Sequence, residues 1–71
     1  MQTTFYTFIK RYVDYDADDP MSRLANTISK DMAFPKQSQD FDEISTYMEQ
    51  SGAYGRLMTV FDEAWLKYTN I

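Results

Sequence analysis

Residues 18–32 read DDPMSRLANTISKDM, and their spacing decides the fold class. Met21, Leu24, Ala25, Ile28 and Met32 recur at three- and four-residue intervals, while Arg23, Asn26, Thr27 and Lys30 fall opposite them. That is the pattern of a helix with one face turned to a core. The start is equally marked. Asp18 or Asp19 can accept from the first free amides, and Pro20 suits a first helical turn because its missing N–H would have no intrahelical partner.

The same period continues on either side. Upstream, Phe5, Phe8, Ile9, Tyr12 and Val13 share a face behind Thr3 or Thr4 as N-cap. Downstream, Phe41, Ile44, Ser45 and Met48 form a shorter stripe that ends near Gly52, and Leu57, Val60, Phe61, Ala64, Trp65 and Tyr68 form a broad one. The result is an all-α chain of four helices with no internal repeat. Two Gly and two Pro supply the punctuation.

The connector and third start, AFPKQSQDFDEIS at residues 33–45, follow from local sterics. Pro35 disfavours helical backbone at Phe34 and so turns the chain after the second helix. Asp40 and Glu43 stand in capping-box spacing, which places the third helix start near Asp40. Phe34 is then expected to anchor the connector in the interior. The predicted core is Phe5, Phe8, Ile9, Leu24, Ile28, Phe34, Ile44, Met48, Phe61 and Trp65.

Seventy-one residues make one domain, and a domain of that size buries only about 60% of its unfolded surface. Cysteine is absent, so neither disulfides nor thiolate metal sites can compensate. A composition of 44% hydrophobic and 17% aromatic residues argues against disorder and places the stability in packed side chains. No apolar run reaches membrane-spanning length. The first residues, MQTTFYTFIKRYVDYD, carry their charges after their apolar groups, the reverse of a secretion signal. The expected location is the cytoplasm, with no membrane partner. The charges favour helix ends: Lys10, Arg11, Lys30 and Lys67 near C-termini, Asp18, Asp19, Asp40, Asp42 and Glu43 near N-termini.

Chemistry is sparsely provided for. Asp14, Asp16 and Asp18 open like a calcium loop, but its sixth and twelfth positions hold Asp19 and Ala25, so the turn glycine and the bidentate glutamate are missing. Without His or Cys, the usual neutral-pH base and thiol nucleophile are absent. Asp62 and Glu63 project about 100° apart on a helix, and Asp40 and Glu43 are explained by capping. No Gly-rich phosphate loop is present. The sequence therefore predicts no catalysis, cofactor, metal or small-molecule substrate.

A net charge of −4 works against nucleic acid as the default partner. Drawn as a recognition helix, Asp40–Ser51 would carry four acids and no cation between phosphates. Nucleic-acid binding through Lys36, Arg56, Arg11 or Arg23 is the alternative to the leading expectation, a protein-interaction module. For the latter, Leu66 points away from the fourth stripe, and Tyr15, Tyr47 and Tyr54 lie in connectors or at stripe edges. The expected surface is Lys36, Tyr54, Arg56 and Leu66.

Taken together, TFYTFI, then Phe34-Pro35-Lys36 followed by Glu43-Ile44-Ser45 and Tyr47, then Phe61-Asp62-Glu63-Ala64-Trp65 resemble the YozE-like family of small bacterial proteins across nearly the whole chain. The resemblance implies a compact four-helix fold similar to sterile alpha motif domains. It carries over no catalytic residue. Folds of that kind host protein interaction, self-association and nucleic-acid binding.

Overall fold

A computed structural model describes residues 3–70. The described residues hold four α-helices and two 3-10 turns joined by irregular connections, with no strand among them. Helix α1 (Phe5–Ile9) runs into the 3-10 turn Lys10–Tyr12; α2 (Pro20–Lys30) and α3 (Phe41–Ser51) follow; the 3-10 turn Gly55–Leu57 leads into α4 (Met58–Thr69).

The starts of α1, α2 and α3 each have a side-chain cap. Thr4 caps α1 by accepting from the Thr7 amide at 3.2 Å. Asp19 caps α2, one carboxylate oxygen accepting from the Ser22 amide at 3.0 Å and the other from the Ser22 hydroxyl at 2.9 Å, with Pro20 in the first turn. Asp40 caps α3, but through the amide of Asp42 at 3.0 Å rather than that of Glu43, so the capping box expected from the sequence is replaced by a single local bond.

The interior is one cluster drawn from every helix: Phe5, Phe8, Ile9, Leu24, Ala25, Ile28, Phe34, Ile44, Met48, Tyr54, Phe61, Ala64 and Tyr68. Phe5 sits at its centre. Its ring meets Phe61 and Tyr68 edge-on at 5.4 and 5.5 Å and lies 5.2 Å from Trp65. Such aromatic pairs add ~0.5–1.5 kcal/mol beyond their area burial. The Tyr68 hydroxyl donates to the Thr3 carbonyl, tying the end of α4 to the segment before α1.

Two expectations need correction. Trp65 is half-buried at the margin of the core rather than enclosed, its ring T-shaped against Phe41. Met32 is 92% exposed and leaves the α2 stripe, because the helix stops at Lys30 and Asp31 adopts extended backbone. Asp31 holds that break in place: its carboxylate accepts from the Ala33 amide at 3.0 Å, and its carbonyl accepts from the Phe34 amide at 3.3 Å. The turn delivers Phe34 inward at 3% exposure, its ring 6.0 Å from Tyr6 and edge-on to Tyr47 at 5.9 Å.

Candidate functional site

Two features stand out once the helices are placed. The first is polar and internal. Tyr47 of α3 and Tyr54 of the following connection both donate to Oδ2 of Asp31, at 2.6 and 2.7 Å. Burial alone would raise the Asp31 carboxyl. The two phenols, the Ala33 amide and nearby Lys36 outweigh that effect and hold it below the usual carboxylate range. The phenols respond in the opposite sense. Burial pushes Tyr54 far above an ordinary phenol, with the Asp31 bond and charge adding to it, and for Tyr47 the Asp31 bond is the leading cause.

This network overturns the placement of Tyr54 on the binding surface. Tyr54 is fully buried, because the chain reverses at Gly52, in left-handed backbone, and turns the ring under α2 where its hydroxyl finds Asp31. Sequence reasoning passed over Asp31. The usable signal was an acid immediately after the last turn of a helix, where the backbone dipole favours cations and an anion needs a specific partner.

The second feature is a groove between α2 and the connection from α3 to α4. Two depressions form it, of about 380 and about 560 Å³, both broadly open to solvent. They share Asn26, Thr27 and Ala53. Lys30 lies at one end, and Arg23 and Arg56 line the other. Three of the chain's seven cations thus line one groove in a chain of net charge −4; the carboxylate of Asp31, which lines it, is occupied by two phenols, and that of Asp18 pairs with Arg23 at its end.

The groove's internal bonds are mostly spoken for. The Asn26 side chain accepts from the Asp14 amide at 2.9 Å and donates to the Asp14 carbonyl at 3.0 Å, which pins the acidic loop to α2. Thr27 donates to the Arg23 carbonyl. Arg23 reaches Asp18 through Nε and Nη2, at 3.0 and 2.5 Å from the same oxygen. The Lys30 ammonium stands 5.1 Å from the Tyr15 ring, whose hydroxyl meets Ser29 at 2.7 Å. Arg56 is exposed and makes no ion pair or hydrogen bond with the described residues.

The other surface residues named from the sequence do not join it. Lys36 packs over Tyr6, its ammonium 5.5 Å from the ring centre, with Lys10 at the same distance from that ring. Leu66 is 63% exposed on α4 and lines neither depression. Three of the four aspartates of the acidic loop have local work: Asp14 accepts from the Asp16 amide, Asp18 pairs with Arg23, and Asp19 caps α2. Among the described residues no group of three or more acids converges to hold a metal, and no helix is long and apolar enough to cross a membrane.

Known proteins resemble this chain along almost all of its length. A family model described as YozE SAM-like fold matches residues 4–70. A UPF0346 protein of Lactiplantibacillus plantarum is 46% identical over 68 residues, covering 96% of this chain and 93% of the relative. Another from Lactococcus lactis subsp. cremoris is 46% identical over 65 residues, covering 92% and 94%. One from Bacillus cereus is 43% identical over 68 residues, covering 96% and 94%. No solved structure matches. The family match over residues 4–70 and these near-full-length similarities converge on one conclusion: the chain belongs to the YozE SAM-like family.

Proposed function

We propose that this protein is a non-enzymatic interaction module of the cytoplasm that presents the groove between α2 and the α3–α4 connection to a partner protein. One observation carries the reading: Arg23, Lys30 and Arg56 gather along a groove in a chain whose acids outnumber its bases. Cations clustered against the sign of the whole molecule steer an oppositely charged partner to that place. Tyr47 and Tyr54 are engaged on Asp31, and Asp19 and Asp40 on helix starts, which gives these groups structural work.

Capture from the native cell with the tagged full chain tests it, comparing the wild type with Arg56→Glu and Leu66→Glu, each checked for folding by circular dichroism. A specific protein partner lost with Arg56→Glu and retained with Leu66→Glu is the expected result. The reverse pattern moves the interface to α4, and the absence of any specific partner sinks the reading. A nucleic-acid role is the second reading, supported by Arg23 and Arg56 lining one depression. It requires a salt-sensitive mobility shift with DNA or RNA, weakened by Arg56→Glu.

A further inference from the structure

We infer that the groove receives an extended acidic segment of the partner, with carboxylates three residues apart placed against Arg23 and Lys30, and Arg56 closing on the segment from the opposite wall. This rests on the reading of the groove as a protein-binding site. Arg23 and Lys30 lie seven residues apart on α2, two helical turns, so their Cα atoms are separated by about 10 Å along the axis. An extended chain of polyproline II type rises about 3.1 Å per residue with three residues per turn, so residues three apart point to the same side about 9 Å from one another, close to the Arg23–Lys30 spacing. The two depressions share Asn26, Thr27 and Ala53 and are open to solvent, which suits an extended segment better than a small molecule needing enclosure on most sides.

The chain itself supplies a precedent for the carboxylate. Asp18, from the acidic loop, sits on the Arg23 guanidinium at the end of the groove. Both side chains are largely exposed, Arg23 at 59% and Asp18 at 88%, so the pair is screened and contributes little to stability. A partner carboxylate therefore replaces Asp18 at small cost. Asp18 acts as a weak internal competitor, and its removal strengthens binding.

The test is an NMR titration of the isotope-labelled full chain with a capped decapeptide carrying glutamate at its fourth and seventh positions in a Gly-Ser background, beside the same peptide with glutamines. The expected result is amide shifts confined to residues 23–30 and 52–57, seen with the glutamate peptide only and suppressed near 0.3 M salt. Asp18→Asn tightens binding about two- to fivefold, and Arg56→Glu weakens it about tenfold or more, while Leu66→Glu leaves it unchanged. Equal response to both peptides, or to neither, overturns the acidic segment. The interaction reading survives that result, being tested separately by capture with Arg56→Glu. Shifts at the same residues with a DNA duplex and none with the peptide, or shifts that depend on protein concentration alone, assign the groove to nucleic acid or to a second copy and likewise overturn the proposal.

Discussion

The Tyr54 hydroxyl lies 2.7 Å from Oδ2 of Asp31, so a residue just past the end of α2 is bonded to one that follows α3. That bond crosses 23 positions of sequence and closes the floor of the groove from below. A buried phenol without its acceptor loses a charge-assisted hydrogen bond and keeps its desolvation penalty. Asp31→Ala is expected to cost about 2–4 kcal/mol, and Tyr54→Phe, which removes donor and polar atom together, about 1.5–3 kcal/mol. Urea midpoints of the two variants check the order, and equal stability of Tyr54→Phe and the wild type contradicts it.

The same network predicts a loss of stability at both ends of the pH scale, from a lowered carboxyl at one and a raised phenol at the other. The folded state holds the Asp31 carboxyl below its ordinary value, because the phenols, the Ala33 amide and Lys36 outweigh burial. Its contribution is complete above the unfolded value near 3.9 and disappears as pH falls through the lower folded value. Asp19, held low by the Ser22 amide and hydroxyl, acts in the same direction. Tyr54 is raised, first by burial and then by Asp31, so its contribution is complete below about pH 10 and is lost as pH rises beyond it. Denaturation midpoints measured across acid and alkaline pH are expected to fall at both ends. Tyr54→Phe should flatten the alkaline fall, and an alkaline fall of unchanged steepness in that variant would contradict the assignment.

Phe34 is the anchor of the turn that follows Asp31. It is 3% exposed, packed between Tyr6 and Tyr47, so truncation opens a cavity lined by two rings and loosens the loop above it. Phe34→Ala is expected to cost ~3–5 kcal/mol, a large share of the stability of a domain this small. A chemical-denaturation midpoint unchanged by the substitution would mean that the ring is not part of the interior.

Helices α1 to α3 were readable because each carries a period and a start signal that local physics enforces, and α4 by the period of its broad stripe alone. Asp19 and Pro20 open α2, Thr4 opens α1, and the stripe of Leu24, Ala25 and Ile28 lies inside. What escaped was decided by contacts distant in sequence. Periodicity carried α2 on to Met32, whereas Asp31 leaves the helix because two phenols and the Ala33 amide hold its carboxylate. Tyr54 lies in an irregular connection, where alternation of apolar and polar residues says nothing about direction, and only the reversal at Gly52 sends it inward. Arg56 and Arg23 were visible as separate cations, but their convergence on one groove required α2 and the α3–α4 connection to be placed side by side.

The two glycines of that connection offer a further test, since they flank Tyr54 and differ in backbone. Gly52 has φ of +78°, the left-handed region, while Gly55 has no positive φ. A Cβ added at either position would meet nothing within 4 Å, so space does not distinguish them and conformation must. Gly52→Ala is expected to destabilise by about 1–2 kcal/mol, the strain of an L-residue held in left-handed backbone. Gly55→Ala should be neutral or stabilising by up to about 1 kcal/mol, because it restricts the unfolded chain without straining the folded one. If the two substitutions cost the same, the reversal that buries Tyr54 does not depend on left-handed backbone at Gly52. If Gly52→Ala is the costlier, the amide shifts of Ala53 and Tyr54 should move with it, since the strained residue sets the direction in which the chain enters the groove wall.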